Sequence, residues 1–274
     1  MFKLETVGSD PEFFLFSEDN AFPAIRFTSG TKTVPEEIKP GFSLQRDNLL
    51  IEGNIPPSRT KDEFVSNILF IKDYIRSRVE IKSLKLVCAD SARFMPRYLR
   101  IPEAREFGCD PYKLAWRGGK TAEADDLSRI SERVAGFHIH LGYDWEELPK
   151  NRADVCIAKA FDMFVTVPSR EIHSDRTRMR YYGRLGSYRG KSYGIECRSL
   201  GGYFLNDEYL PWVWDRIQDM SKYLNTISKE ALNKLSTLGL TFAQANYANI
   251  TGLLDDSVYE KYEVKKLEKI YVSI

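Results

Sequence analysis

Val7-Gly-Ser-Asp-Pro-Glu-Phe-Phe-Leu-Phe16 decides how the rest of the chain is read. Two carboxylic acids, Asp10 and Glu12, stand one residue apart in an apolar, strand-like run. Side chains alternate faces along a strand, so both acids share one face and Phe13 belongs to the other. The same pattern returns twice. His138 and His140 sit in Val134-Ala-Gly-Phe-His-Ile-His-Leu-Gly-Tyr143, and Glu196 and Arg198 in Tyr193-Gly-Ile-Glu-Cys-Arg-Ser-Leu200. In each case the residues between and beside the polar pair (Phe137, Ile139, Ile195, Cys197) point the opposite way. Three strands with carboxylates, imidazoles and a guanidinium on one face predict a sheet that lines a site; a merely solvated face is richer in Lys, Thr and Ser.

Around these strands, Leu49-Leu-Ile-Glu-Gly-Asn-Ile55 reads as a further strand carrying Glu52 and ended by Pro56-Pro57. Residues 20 to 45 read as short strands and loops punctuated by Gly and Pro. Thr60-Lys-Asp-Glu63 fits a capping box, and Phe64, Ile68, Ile71 and Ile75 follow at helical spacing, which predicts a helix over about 60 to 78. Leu84 to Ala89 predicts a short strand, 90 to 128 is irregular, and 133 to 143 is a strand. A helix from about 151 to 167 is expected to end at Pro168. Beyond Asp207 the chain reads as helical, with an apolar stripe of Trp212, Ile217, Met220 and Leu224 and a last amphipathic helix from Val258 to Ile270. Strands first and helices last predict an α+β fold: one domain over 1–274, sheet-rich to about 205 and helical from about 206.

The bulk numbers exclude several function classes. With 40 Lys and Arg against 39 Asp and Glu, the net charge of +1 gives no general attraction for nucleic acid or an anionic membrane. No run reaches the ~18 apolar residues of a membrane span. The start, Met1-Phe-Lys-Leu-Glu5, lacks the pattern of a signal peptide. Cys88, Cys109, Cys156 and Cys197 form no paired motif, which reads as free thiols rather than a zinc site. A cytoplasmic protein is expected.

Each polar pair also has a bland reading. Asp-Pro begins turns, Glu52 fits the exposed side of a half-buried strand, histidines are satisfied in cores, and Glu196 with Arg198 fits a salt bridge. Together, Asp10, Glu12, Glu52, His138 and Glu196 supply four carboxylates and an imidazole. That oxygen-rich set suits Mg²⁺ or Mn²⁺ better than Zn²⁺, and four converging carboxylates call for more than one cation. Arg176, Arg178, Arg180, Arg184, Arg189 and Lys191, interleaved with Tyr181-Tyr-Gly183 and Gly186-Ser-Tyr188, lead into the Glu196 strand. Divalent cations and arginines are the parts that bind and neutralise a nucleoside triphosphate.

The ordered set resembles the glutamine synthetase and glutamate–cysteine ligase superfamily. The 7–16 stretch is similar to its first metal-binding strand, Gly136-Phe-His-Ile-His140 to its His-x-His strand, and Ile195-Glu-Cys-Arg198 to its late Glu-x-Arg strand. Ile51-Glu-Gly-Asn-Ile-Pro-Pro57, Phe107-Gly-Cys-Asp-Pro111, Arg180-Tyr-Tyr-Gly183 and Tyr188 to Arg198 extend the resemblance to the phage-associated carboxylate–amine ligases (amidoligases, type 2), over most of 7 to 204. The resemblance implies an antiparallel sheet curved around an active-site funnel, helices packed outside, and an ATP-dependent ligase joining small-molecule or peptide carboxylate and amine substrates. It implies one metal on Glu12 and Glu52 and a second on Asp10, His138 and Glu196. Arg198 with Arg180, Arg189 or Lys191 would contact the phosphates and carry catalysis, and His140 would face substrate or nucleotide. Asp10 stands where glutamine synthetase has a Glu, and Cys197 reads as core packing. The resemblance also leaves an oligomer open, and with it two other readings: a phage structural or host-interacting protein that keeps the fold without turnover, and a metal-dependent hydrolase, which would not need the arginine-rich segment. Arg93, Arg97, Arg100 and Arg105 fit an acidic-substrate contact or a solvated loop equally.

Overall fold

The computed structural model describes residues 1–105, 111–122 and 130–237. Its strands are β1 (Lys3–Ser17), β2 (Asn20–Phe22), β3 (Glu36–Lys39), β4 (Phe42–Asp47), β5 (Leu50–Ser58), β6 (Lys85–Val87), β7 (Ser91–Arg93), β8 (Tyr112–Leu114), β9 (Lys120–Ala122), β10 (Glu132–Val134), β11 (Phe137–Asp144), β12 (Ser187–Lys191) and β13 (Gly194–Cys197). Its α-helices are α1 (Lys61–Glu80), α2 (Lys150–Phe161), α3 (Val167–Ile172), α4 (Arg176–Tyr181), α5 (Leu210–Thr226) and α6 (Lys229–Thr237). The expected helix over Val258 to Ile270 and Cys109 lie outside the described residues.

The α+β expectation matches the chain: β3-β4-β5-β1-β11-β13-β12-β8-β9 form one large sheet whose neighbours all run antiparallel, with β2 and β6 beside the far end of β1. Alternation then sorts the side chains as the sequence predicts. Phe13, Ile51, Phe137, Ile139, Ile195 and Cys197 enter one hydrophobic core with Phe64, Ile68, Ile71 and Ile75 of α1 and with residues of α2 and α5. Phe64 stacks on Phe137 with ring centroids 6.2 Å apart and meets Trp214 at 5.6 Å. Cys88, Cys156 and Cys197 are free thiols, the last fully inside this core.

α1 starts where expected. Thr60 accepts a hydrogen bond from the Glu63 amide, and the Glu63 carboxylate accepts from the amides of Arg59 and Thr60, so orphan donors of the first turn are satisfied reciprocally.

Two expectations are corrected. β5 does not stop at Pro56-Pro57 but runs through both to Ser58. β4 pairs only with Leu50 to Asn54, so the prolines face no donor-hungry neighbour on that side, and on the other a register shift between Val7 and Ser9 takes up the slack. Pro168 does not end the helix. A π-turn over Asp162–Thr166, with the Val167 amide donating to the Asp162 carbonyl, widens the helix ahead of the proline, which falls in the first turn of α3 where no amide is needed. The apolar stripe of α5 holds Ile217, Met220 and Leu224 in the core as expected, joined by Leu210, Val213, Trp214 and Tyr223, with Trp212 partly buried against the same core.

Removing the capping oxygen with Thr60→Ala is expected to lower unfolding stability by about 1 kcal/mol. Phe137→Ala, which empties the sheet–helix core, is expected to cost about 3–5 kcal/mol. Urea unfolding followed by circular dichroism checks both, and the reverse order would contradict this placement of the core.

Candidate functional site

The face of the sheet opposite that core carries the polar pairs. Cross-strand register sets Gln45 of β4 opposite Glu52 of β5, and Glu52 opposite Glu12 of β1. Asp10 lies opposite His138, and His140 opposite Glu196, which lies opposite Arg189 of β12. Five strands therefore bring Asp10, Glu12, Glu52, His138, His140, Glu196, Arg189 and, just beyond β13, Arg198 onto one surface.

Two triads of ligand-type atoms result, each with its atoms within 4.8 Å of one another: Glu12, Asp47 and Glu52, and Asp10, His140 and Glu196. Asp47 was not picked out in the sequence. It ends β4, where Asp-Asn reads as a turn signal, and the register Asp47↔Leu50 around the two-residue Asn48-Leu49 turn puts it on the Glu52 face. The histidine roles also shift. The resemblance gave His138 to Asp10 and Glu196, but it is His140 that groups with them. His138 bridges the triads, its Nδ1 lying 3.2 Å from Asp10 Oδ1 and 3.8 Å from Glu12 Oε1. His140 Nε2 lies 3.2 Å from the same Asp10 oxygen, while its Nδ1 meets the Tyr193 hydroxyl at 2.7 Å. Gly136 has no room for a Cβ against the His138 ring, and its amide donates to Glu12 Oε2 at 2.6 Å.

Cations border both triads. Lys32 Nζ lies 2.9 Å from Asp47. Around Glu196 stand Lys191 at 2.7 Å, Arg189 at 3.5 Å and Arg198, which donates to Oε1. Arg180, by contrast, is exposed and lies over the ring of Tyr181. The buried arginine of that segment is Arg178, whose Nη2 donates to the carbonyls of Leu200 and Arg198. The segment is helical here, and residues two apart on a helix diverge by about 200° instead of sharing a face. Tyr182 completes this side, its ring near both Arg178 and Arg198 and its hydroxyl 3.4 Å from His138 Nε2. Arg93, Arg97 and Arg100 are exposed, and the side chain of Arg105 lies outside the described residues.

The electrostatics favour an added positive charge. Burial, reinforced by Asp47, pushes the Glu12 carboxyl up to about 8. Burial and the Asp10 charge raise Glu52 and Glu196. Burial acts on Asp10 too, but His140 and His138 override it and hold that acid well below its usual range. Burial and then Arg198 push His138 down to about 3, whereas the Asp10 charge outweighs burial and raises His140. Glu52 Oε2 is buried without a hydrogen bond, and Asp10 Oδ1 meets His138 Nδ1 and His140 Nε2 as ion pairs outside hydrogen-bond geometry. Buried polar atoms are normally satisfied, so these atoms fit the oxygen-rich donor set of Mg²⁺ or Mn²⁺.

Comparison with known proteins adds little. No protein-family profile matches the chain, and no curated protein does. Among solved structures it is similar to a novel glutamine synthase homolog, with a TM-score of 0.36 and 11% identity over 96% of this chain and 71% of that one. A likeness this loose assigns neither family nor activity. Among the described residues, no helix is long and apolar enough to cross a membrane.

The raised Glu12 carboxyl fixes the sign of a pH effect. Between 4.5 and about 8 the folded chain holds a proton there that the unfolded chain has released, so stability falls as pH rises. His138 opposes this only below its unfolded value of 6.5, and raised His140 adds to it above. In EDTA, unfolding stability is expected to drop by roughly 1–2 kcal/mol from pH 6.5 to 8. Glu12→Gln should flatten that slope and saturating Mn²⁺ should reverse it; a wild-type slope in the variant would contradict the assignment.

Proposed function

We propose that this chain is an ATP-dependent carboxylate–amine ligase of the glutamine synthetase-like type, closest in motif order to the phage-associated amidoligases. The observation that carries this reading is the adjacency of two acidic triads to Arg189, Lys191 and Arg198 on one face of the sheet. Acids alone would serve any metal-dependent hydrolase. Cations crowded beside them, from β12 and from the residue just after β13, suit a ligand that brings both bound divalent cations and its own negative charge, which describes a nucleoside triphosphate.

In this reading Glu12, Asp47 and Glu52 hold one Mg²⁺ or Mn²⁺, and Asp10, His140 and Glu196 hold the other, with His138 between them. The ions would supply Lewis-acid neutralisation of phosphate oxygens. The chain's own residues do the rest. Arg198 and Arg189 turn from Glu196 toward the transferred phosphoryl group and offset its charge in a buried setting, where fixed donors act most strongly. Arg198 Nε, buried and without a hydrogen bond, is a donor already available for that purpose. Lys191, less buried than either arginine, meets the outer phosphates. The carboxylate substrate attacks the γ-phosphorus and ADP leaves; the neutral amine then attacks the acyl carbon, the C–O bond to phosphate breaks, and the nitrogen gives up a proton that leaves with the phosphate, so that an amide forms. Tyr193, half exposed on the β12–β13 turn and bonded to His140, lies at the mouth where substrates enter.

Thermal unfolding with Mg²⁺ and ATP is the direct test. At a hundredfold excess over the dissociation constant, stability should rise by about 2.7 kcal/mol, a shift of roughly 5–10 °C, and EDTA or Glu196→Ala should abolish it. Amine-dependent phosphate release should vanish in Glu196→Ala and Glu12→Ala. No Mg²⁺-dependent shift, or cleavage of a substrate with metal but without ATP, would replace the ligase with a binding protein or a hydrolase.

A further inference from the structure

Lys32 occupies a place that neither the sequence motifs nor the proposed chemistry accounts for. Its ammonium lies 2.9 Å from Asp47 Oδ1, and the charges of Asp47, Glu52 and Glu12 all act on it. It is thus a cation standing at the first triad, where the more distant Arg198 charge also acts on Glu12. In that triad Glu52 is 5% exposed and its Oε2 has no hydrogen-bond partner.

The position is built. The loop between Phe27 and Pro35 is stitched to β4 by the Arg46 amide, which donates to the Gly30 carbonyl at 3.0 Å. Gly30 lies so close to the Leu44 carbonyl and the Glu36 amide that a Cβ would overlap backbone. The Glu36 carboxylate accepts from the Thr28 hydroxyl and the Ser29 amide, each at 2.9 Å, and pairs with Arg78 of α1 at 2.6 Å. The Thr31 amide donates to the Val34 carbonyl and closes the turn that carries Lys32. The loop backbone is therefore anchored on both sides, while the Lys32 side chain is 37% exposed to solvent.

We propose that Lys32 is the internal counter-ion of the Glu12–Asp47–Glu52 triad and competes with a divalent cation for it. This rests on the metal reading of that triad. Three carboxylates repel one another, and a single ammonium on a flexible stem is a partial remedy that a divalent cation outcompetes. When the cation enters, the ammonium swings outward and the anchored loop stays. Lys32 thereby sets the concentration of free cation at which the triad fills.

Two measurements on the metal-stripped protein decide it. Mn²⁺ binding, followed by the electron paramagnetic resonance of free Mn²⁺, should be about tenfold or more tighter in Lys32→Met than in the wild type. Lys32→Arg should stay near the wild type, and adding Asp47→Asn to Lys32→Met should cancel the gain. Equal or weaker binding in Lys32→Met would overturn the proposal while leaving the metal site in place; no Mn²⁺ uptake by any of the proteins would overturn both. Independently, the rate at which an N-hydroxysuccinimide ester acetylates Lys32 in the wild type, read by peptide mass, should rise several-fold with Mn²⁺. A rate unchanged or lowered by Mn²⁺ would overturn the displacement.

Discussion

Mutual repulsion among buried carboxylates is the constraint to which the rest of this structure answers. Asp10, Glu12, Asp47, Glu52 and Glu196 come from four antiparallel strands and converge on one face. Burying like charges at this spacing is unfavourable unless they are protonated, paired or metal-bound. Each response is present. Glu12, Glu52 and Glu196 hold their protons to higher pH, Asp10 is held ionised by two imidazoles, and Lys32, Lys191, Arg189 and Arg198 stand at the margins. None of these gives Glu52 Oε2 a hydrogen-bond partner. An interior selected for stability alone would not keep such a cluster, and the helices packed on the other face supply the apolar burial that offsets it.

Strand alternation made much of this legible. Asp10 with Glu12, His138 with His140 and Glu196 with Arg198 each announce a shared face, and Phe13, Phe137, Ile139, Ile195 and Cys197 mark the core side. Thr60 and Glu63 placed the start of α1 because a capping box is local chemistry. Glu52 was readable as a polar residue stranded in an apolar run.

Long-range register carried the rest. Asp47 joins Glu12 and Glu52 only because the Asn48-Leu49 turn aligns Gln45 with Glu52, and no local pattern states that pairing. Lys32 reaches the same triad through a loop whose course depends on Gly30 lying against β4. Which imidazole joins which triad turns on one residue of alignment between β1, β11 and β13: Asp10 faces His138, while Glu196 faces His140. Arg180 entered through the resemblance and not through strand alternation. The short helix α4, begun by the Asp175 cap, turns Arg178 inward and leaves Arg180 outside.

The claim that cations belong between these carboxylates is open to direct sight. Crystals grown with Mn²⁺ and measured at the manganese absorption edge would reveal bound ions by anomalous scattering. The account predicts one peak among Glu12, Asp47 and Glu52 and another among Asp10, His140 and Glu196, with the Lys32 ammonium withdrawn from Asp47. Crystals in which both triads lack anomalous density, with Lys32 still seated on Asp47, would contradict it.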